Sequence, residues 1–504
     1  MKQNILLTTL LTSLLAHTAT AQERPNIILF LVDDMGWQDT SLPFWTEKTP
    51  LNDRYETPNM ERLAAQGMMF TQAYACSVSS PTRASLFTGM NAARHRVTNW
   101  TLGRNQSVDA RSKYLSYPEW NVNGITSVAG IERATYVTPL SQILKDNGYH
   151  TIHCGKAHFG AVSTPAEDPR TLGFDVNIAG HAAGGPGSYL GEKNFGNKFG
   201  EHTTPWGIPG LEEFHGKDIF LTEALTQKAC AALDKTKGTG NPFFLYMAHY
   251  AVHIPINADK RFYQKYLDRG LPAVEAAYAS LVEGMDKSLG DIMDYLEQND
   301  LADNTIILFM SDNGGFSLNP RAGAQHTHNL PLNSGKGSAY EGGIREPMIV
   351  SWPGKVKEQT KTNAPVIIED FYPSILEMAQ IDAYEVVQVI DGESFLPILA
   401  GNQLNKNRNF LWHFPNNWGP TGPGIGATST LRKGDWKLIY FHEGEHFELY
   451  NIAEDISEKN NLASEQPKRV KKLARILAQE LRDKQAQMPI NKVSGKVVSW
   501  PDAI

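Results

Sequence analysis

Residues 26–37 of this chain read NIILFLVDDMGW, and residues 304–315 read NTIILFMSDNGG. In each stretch an uninterrupted apolar run, Ile27 to Val32 or Ile306 to Met310, ends in acidic or amide side chains followed by glycine. Apolar runs without alternation are typical of strands that are covered on both faces, as in a parallel sheet. The two stretches therefore predict two inner strands of an α/β fold.

Helical patterns lie between these two strands. Residues 138–150, TPLSQILKDNGYH, predict a capped helix that ends at Gly148 and is followed by a strand from Thr151 to Cys154. Residues 276–298 carry apolar side chains at helical spacing, and residues 243–255 predict a further strand that ends in polar residues. Strands that alternate with helices indicate an open α/β sheet, whose ligand site lies beyond the carboxyl ends of its strands.

The pattern changes after about residue 400. Residues 428–441 and 446–452 alternate apolar and polar side chains around turn signals, which predicts a small antiparallel sheet. A helix that should pack on this sheet has one apolar stripe, formed by Val470, Leu473, Leu477 and Leu481. We therefore expect a catalytic domain over residues 22–400 and an α+β subdomain over residues 401–504.

Residues 1–21 have the design of a secretory signal peptide. Lys2 precedes an apolar stretch from Ile5 to Leu15, which is too short to span a bilayer, and small residues lead up to Gln22. No cysteine lies at that junction to carry a lipid. We therefore expect a periplasmic or secreted protein without a membrane anchor.

The composition is that of an ordinary globular protein. The chain has 504 residues, of which 41% are hydrophobic, and a formal net charge of -7. No run of Lys or Arg could follow a phosphate backbone, so a nucleic-acid partner is not expected. Cys76, Cys154 and Cys230 are too few and too scattered for a disulfide framework or a thiolate zinc site.

Hard oxygen ligands follow both apolar strands: Asp33, Asp34, Asp312 and Asn313. Brought together, three carboxylates and an amide would repel one another unless a cation lay between them, and Ca²⁺ accepts six to eight such oxygens. Alternatively, Asp and Asn before Gly merely end the strands as turn residues. The residues alone leave both interpretations open.

Further cationic groups lie in three polar segments. CGKAHFG contains Lys156 and His158, HYAVHIP contains His253, and SGKGSAYEGGIREP contains Lys336. Singly, each is typical of a solvated loop side chain. Together they would place positive charge around one anionic group.

The stretch CSVSSPTRASLFTG, residues 76–89, offers hydroxyl groups and a thiol without any acid or histidine beside them. A bare serine hydroxyl is a poor nucleophile without an adjacent base. Within it, SSPTR resembles the signature of the type I sulfatases of the alkaline phosphatase superfamily, in which Cys or Ser is followed by any residue, Pro, any residue and Arg. Further motifs that resemble those of this family occur in order along nearly the whole mature chain: DD, GKAH, the HIP of His253, DNG, and GK followed by EGGIREP.

The resemblance implies a large mixed, mostly parallel sheet between helices. It also implies that Ser79 is oxidised to formylglycine (3-oxoalanine), an aldehyde that hydrates to a geminal diol. Pro81 and Arg83 follow Ser79 at the signature spacing, whereas Cys76 has Val78 where proline should be. A serine precursor resembles the bacterial members, which a radical-based enzyme matures.

Site roles are implied in the same way. The family's Ca²⁺ ligands match Asp33, Asp34, Asp312 and Asn313, together with the modified Ser79. Arg83 would hydrogen-bond the diol, while Lys156 and Lys336 would offset the charge of the sulfate. Either His253 or Lys336 would protonate the leaving oxygen, and His158 would deprotonate the second hydroxyl of the diol, which expels sulfate.

The substrate is less constrained. Residues 95–120 are rich in Trp, Tyr and Arg without strong periodicity, as expected of a loop that lines a carbohydrate pocket. The candidate contacts are Trp100, Arg104, His181, His202, His326 and His328, all of which could equally belong to ordinary surface loops. We expect exo-removal of sulfate from a galactose or N-acetylgalactosamine unit of a sulfated carbohydrate.

Three alternatives stay open: an arylsulfatase, a phosphodiester or phosphonate monoester hydrolase, and an inactive glycan-binding protein with an unmodified Ser79. A zinc phosphatase would want more His and Asp ligands for two metals. The cations Lys156 and Lys336 and a single oxygen-rich site favour one calcium ion and sulfate.

Overall fold

The computed structural model describes residues 24–402 and 408–504. The segment interpreted as a signal peptide, residues 1–21, lies outside the described residues. Across the two described ranges, no helix is both long and apolar enough to cross a bilayer. The helices there are α1 (Pro58–Ala65), α2 (Ser79–Thr88), α3 (Ala92–His95), α4 (Leu140–Asp146), α5 (Leu221–Asp234), α6 (Tyr263–Asp268), α7 (Ala273–Gln298), α8 (Glu341–Ile344), α9 (Phe371–Met378), α10 (Leu396–Leu399) and α11 (Pro467–Asp483).

Two sheets contain the longer strands. The large sheet is formed by β1 (Asn26–Val32), β2 (Met68–Tyr74), β3 (His150–Gly155), β4 (Val176–Ile178), β5 (Phe243–Ala248), β6 (Thr305–Ser311), β7 (Arg345–Ser351), β8 (Thr360–Thr362) and β9 (Val366–Ile367). The small sheet is formed by β10 (Asn409–Phe414), β11 (Thr428–Lys433), β12 (Trp436–Phe441) and β13 (His446–Asn451). Two-residue strands at Leu115–Ser116, Ile125–Thr126, Thr135–Tyr136 and Ile490–Asn491 pair outside both sheets.

The large sheet has the strand order β8-β2-β7-β6-β1-β5-β3-β4, with β9 also paired to β2. Only β7 of these strands, taken over the described ranges, runs antiparallel to its neighbours. The small sheet is antiparallel throughout, in the order β10-β11-β12-β13. The expected mixed, mostly parallel sheet with a smaller C-terminal antiparallel sheet is confirmed.

Strand β1 lies at the centre of the large sheet, and all seven of its residues are buried. Its even-numbered residues between Ile28 and Val32 pack among α1, α5 and α7, whereas its odd-numbered residues between Ile27 and Leu31 pack among α2, α4 and α9. Each such side chain contributes roughly 1.5–3 kcal/mol by burial. This double coverage explains why the apolar run has no alternation.

The C-terminal part folds as expected, with one strand more than the sequence predicted. Helix α11 places Leu473, Leu477 and Leu481 in a core with side chains of the small sheet. The additional strand is β10, whose residues NFLWHF are almost all buried and so show no alternation. The domain border near residue 400 stays a prediction.

A buried ionic cluster joins the small sheet to the large one. The Lys437 ammonium of β12 lies 3.0 Å from Glu341 Oε1 and 2.8 Å from Glu458 Oε1, and none of these side chains is exposed by more than 3%. Glu341 also accepts a 2.7 Å hydrogen bond from the Tyr74 hydroxyl at the end of β2. The cluster therefore fixes the small sheet to the start of α8.

We expect Lys437→Ala to lower the free energy of unfolding by about 3–5 kcal/mol, because it leaves the buried Glu458 without its cation and Glu341 with Arg345 alone. Urea unfolding measures the change. Lys471→Ala is the control, since Lys471 is exposed on α11 and its loss should change stability by no more than about 0.5 kcal/mol. Equal stability of the two variants would contradict this role for Lys437.

Candidate active site and metal centre

The two acidic strand ends meet at one edge of the large sheet. Val32 of β1 lies in register beside Ser311 of β6, so the residues that follow leave the sheet side by side. Carboxylate oxygens of Asp33, Asp34 and Asp312 lie within 4.8 Å of one another, and all three side chains are fully buried. The interpretation that these residues merely end the strands is therefore incomplete, because a role in turns alone would not explain why three acidic side chains are buried together.

Local geometry brings the side chains inward. Asp34 has a φ of 61°, a left-handed conformation that Asp tolerates better than most residues. Its N–H donates to Asp312 Oδ1 at 3.2 Å, and Asn313 Nδ2 donates to Asp34 Oδ1 at 2.8 Å. The two strand ends therefore hold each other in place directly.

Each carboxylate has its own cationic partner. The pairs are Lys156 with Asp33 at 2.6 Å, Lys336 with Asp34 at 2.6 Å, and Arg83 with Asp312 at 2.9 Å. Buried ions cost several kcal/mol each unless they are paired and hydrogen-bonded. The cluster can therefore fold with its charges balanced.

The carboxyl groups of the cluster differ in how strongly their surroundings favour the ionised form. Burial raises the pKa of Asp33 well above its usual range, the Asp312 carboxylate adds to this rise, and Lys156 opposes it. Burial is also the largest single influence on Asp34 and acts in the same direction, but the charges of Lys336, His253 and Lys156 together outweigh it and lower the pKa of Asp34. A cation bound at the cluster would therefore favour ionisation of Asp33 most.

The donor set fits a hard cation. Its oxygens come from three carboxylates and the Asn313 amide, which suits Ca²⁺ rather than zinc. Asp34 Oδ2 is buried and has no hydrogen-bond partner, which a bound cation would supply. We infer that Asp33, Asp34, Asp312 and Asn313 are able to hold a calcium ion.

Ser79 is the first residue of α2 and lies in this cluster. Its hydroxyl oxygen is 3.0 Å from Lys156 Nζ, 3.1 Å from Asn313 Oδ1 and 3.3 Å from Asp33 Oδ1. Arg83 follows one helical turn later and so lies on the same face of α2, where it reaches Asp312. The four-residue spacing of the signature is therefore a helical spacing.

Cys76 lies before α2 in a different setting. Its N–H donates to Thr82 Oγ1 at 3.0 Å, and burial raises the pKa of its thiol to about 12. No contact between this thiol and the carboxylate cluster is found within the described ranges. The selection of Ser79 rather than Cys76 for modification stays a prediction.

His158 is buried next to the signature helix. Its Nε2 lies 2.9 Å from the Thr101 carbonyl oxygen and 3.1 Å from Ser80 Oγ, whereas its Nδ1 is buried without a partner. A carbonyl only accepts, so we assign the proton to Nε2, which leaves the Nδ1 lone pair free. Burial, and then the charge of Lys156, hold the pKa of His158 well below its usual range. A neutral His158 is therefore a candidate base.

His253 and Lys336 approach Asp34 together. His253 Nε2 lies 3.8 Å from Asp34 Oδ2, and its Nδ1 bonds to the Ile254 carbonyl. Burial lowers the pKa of His253 to about 4, although Asp34 acts in the opposite direction. Burial disfavours the charged form of Lys336, but the three carboxylates of the cluster together outweigh it and raise the pKa of this lysine. A neutral His253 whose Nδ1 proton goes to the Ile254 carbonyl has no proton on Nε2 to give, whereas a charged Lys336 has one. The choice between them as general acid stays a prediction.

A glycine pair that the sequence reasoning did not single out packs against both histidines. A Cβ at Gly184 would lie 2.5 Å from His158 Cε1, and a Cβ at Gly185 would lie 2.7 Å from His253 Nδ1. Larger residues here would displace the two rings. The consecutive glycines in HAAGGPG, residues 181–187, are the sequence signal that could have identified this close packing against the two histidines.

The predicted substrate residues have different surroundings. Trp100 is half-buried beside Thr101, which holds His158, while Arg104 and His202 are exposed. The ring of His181 is buried, with its centroid 5.6 Å from that of His202.

Two further predicted histidines lie together in one loop. The ring of His326 packs against Gly422 of the C-terminal subdomain. His328 is buried, and its Nδ1 and Nε2 bond to Ser317 Oγ and the Ala322 carbonyl. His328 therefore supports its loop and offers no free ring nitrogen to a ligand, contrary to the role expected of it.

Comparisons with known proteins agree with this arrangement. A family model described as "Sulfatase" matches residues 25–381, and one described as "N-sulphoglucosamine sulphohydrolase, C-terminal" matches residues 335–487. A protein named "Sulfatase" from Formosa agariphila is 30% identical over an alignment of 513 positions, and the match covers 91% of this chain and 88% of that protein. The "N-acetylgalactosamine-6-sulfatase" of Canis lupus familiaris is 30% identical over an alignment of 473 positions, and the match covers 86% of this chain and 83% of that protein.

A solved structure also resembles the whole chain. The crystal structure of Ps i-CgsB has a TM-score of 0.72 and 27% sequence identity, and the match covers 92% of this chain and 93% of that one. Ps i-CgsB in complex with k-i-k-neocarrahexaose matches with a TM-score of 0.70 and 27% identity, over 95% of this chain and 96% of that one.

We expect Asp312→Asn to weaken calcium binding at least about tenfold, because it removes one of the charged ligands while keeping the side-chain shape. Titration calorimetry measures the affinity directly. Asp303→Asn is the matched control, because Asp303 is exposed at the opposite end of the same strand. Unchanged calcium affinity of Asp312→Asn would contradict the metal assignment.

Proposed function

Because this chain belongs to the type I sulfatase family and is a sulfuric ester hydrolase, we propose that it removes sulfate from a sulfated carbohydrate through a formylglycine made from Ser79. The observation that carries the proposal is the position of the Ser79 hydroxyl, within 3.3 Å of Lys156, Asn313 and Asp33. The side chain at position 79 thus lies where metal ligands and a sulfate-binding cation meet.

The charges suit an anionic ester. A calcium ion at the cluster would polarise the oxygens bound to it. The one-to-one pairing of three cations with three carboxylates leaves the cluster near neutral, so a divalent cation gives the site an excess of positive charge. Lys156 and Lys336 would then offset the negative charge that grows on the leaving oxygen and the sulfate.

Formylglycine supplies an aldehyde whose hydrate offers one hydroxyl to attack sulfur and a second to be deprotonated when sulfate leaves. His158 contacts Ser80, the residue after Ser79, through Nε2 and keeps a free lone pair on Nδ1, which supports its proposed role as the acceptor of that proton. Arg83 is fixed by Asp312 and by the Lys156 carbonyl, which keeps its guanidinium close to position 79.

A carbohydrate substrate is supported from two directions. One relative is named for action on N-acetylgalactosamine 6-sulfate, and one related structure holds a neocarrahexaose. Trp100 and His202 also provide surfaces of the type that bind sugar rings and hydroxyl groups. We propose exo-action on a galactose or N-acetylgalactosamine unit by a periplasmic or secreted enzyme that a radical maturase activates.

We expect the peptide that contains Ser79 to be lighter by two hydrogen atoms than its sequence mass when the protein is produced with a serine-type maturase. Peptide mass spectrometry measures this loss. Ser79→Ala should be inactive yet still bind a sulfated ligand, because the cations remain. Cys76→Ala is the control and should keep both the modification at Ser79 and turnover; full activity of Ser79→Ala would overturn the mechanism.

We expect sulfated galactose or N-acetylgalactosamine compounds to be cleaved with a higher kcat/KM than a simple aryl sulfate, because the loops around the site recognise a sugar. A panel of sulfated mono- and oligosaccharides assayed beside 4-nitrophenyl sulfate tests this. Trp100→Ala should weaken the sugar reaction and spare the aryl one. A strong preference of the wild type for the aryl ester would instead assign an arylsulfatase.

A further inference from the structure

The loop between β10 and β11, residues 415–427, brings the C-terminal subdomain to the catalytic cluster. Its Trp418 is half-buried, and the centroid of its indole lies 5.8 Å from the ammonium of Lys336, within the range of cation–π attraction. Gly337, the residue after Lys336, has a φ of 83°, and a Cβ there would lie 2.2 Å from Trp418 Cε3. The indole therefore packs directly against the backbone that carries Lys336.

Two hydrogen bonds attach this loop to the residues that follow Lys336. Ala339 N–H donates to the Gly424 carbonyl at 2.9 Å, and Ser338 Oγ donates to the Pro423 carbonyl at 2.9 Å. A side chain on a loop fixed in this way loses little further freedom when a ligand binds. Trp418 is thus a pre-positioned surface next to Lys336.

Asp109 connects the same loop to the other side of the site. Its Oδ1 accepts hydrogen bonds from Asn417 N–H at 3.1 Å and from Asn99 Nδ2 at 2.9 Å. Asn99 begins the segment in which Trp100 is followed by Thr101, whose carbonyl bonds to His158. One carboxylate therefore sets the positions of two tryptophans, one beside Lys336 and one beside the segment that holds His158.

We propose that Trp418 is the wall against which the ring that bears the sulfate lies, so that the C-terminal subdomain takes part in substrate selection. A ring joined to a sulfate held at Lys336 must lie within a few ångströms of that ammonium, and the indole occupies this neighbourhood. Indole faces pack on the apolar faces of sugar rings as on other rings. The identity of that ring as a sugar rests on the proposed function.

Three variants test the proposal: Trp418→Ala, Trp418→Phe and Trp436→Ala. Trp436 is the matched control, because it is half-buried in the same subdomain and lies 3.7 Å from the Arg469 guanidinium carbon, but has no contact with Lys336. Each is assayed on N-acetylgalactosamine 6-sulfate, a sulfated neocarrageenan oligosaccharide and 4-nitrophenyl sulfate, with inorganic sulfate as inhibitor. Thermal melting shows which variants are folded.

On the best wild-type substrate, Trp418→Ala should raise KM about tenfold, equivalent to about 1.4 kcal/mol, with little change in kcat. Trp418→Phe should recover most of this loss, Trp436→Ala should behave as wild type, and inhibition by inorganic sulfate should stay the same in all variants. These results together would support a ring contact that leaves the sulfate pocket intact.

Other outcomes separate the two proposals. If the wild type cleaves no sulfated sugar, the proposed substrate class fails, and the three variants are compared on the aryl ester, whose ring would occupy the same place. The ring contact is overturned if folded Trp418→Ala has the KM of wild type on the best substrate. The ring contact is also overturned if Trp418→Ala and Trp436→Ala raise KM equally. A third contradicting result would be weaker inhibition of Trp418→Ala than of wild type by inorganic sulfate.

Discussion

The structure depends on the burial of three carboxylates at one place. Asp33, Asp34 and Asp312 lie within 4.8 Å of one another at the carboxyl edge of the large sheet, where water cannot screen their repulsion. Such a cluster is stable only if positive charge is brought to it. Lys156, Lys336 and Arg83 do this from three separate segments of the chain, and the position of each segment is therefore set by the charge it must neutralise.

The same constraint links the fold to the chemistry. Each acid of the cluster is balanced by one base, so a bound calcium ion would convert a neutral site into one that attracts anions. Ser79 begins the helix that also carries Arg83, which places the side chain proposed to react and one of the balancing cations on a single rigid element. In the proposed function, sulfate binding and nucleophile positioning therefore follow from one arrangement of charges.

Much of this arrangement could be predicted from the sequence, because it depends on local patterns. The unbroken apolar runs predicted β1 and β6, and their acidic ends, together with the family resemblance, predicted the carboxylate cluster. Features that depend on where distant loops meet could not be predicted in this way. Trp418 and Lys336 are 82 residues apart and touch only because the small sheet docks on α8, whereas His328, expected at the site, is held inside its loop by Ser317.

The most direct test of the account is a comparison of the sulfate and phosphate monoesters of one phenol with the calcium-loaded, matured enzyme. A site with one oxygen-ligated metal and two lysines, each of which is also paired with a carboxylate, suits the singly charged sulfate ester better than a doubly charged phosphate, which is served by paired zinc ions. We predict that kcat/KM for 4-nitrophenyl sulfate exceeds that for 4-nitrophenyl phosphate by at least about a hundredfold, equivalent to about 2.7 kcal/mol. Equal values, or a preference for the phosphate, would contradict the account.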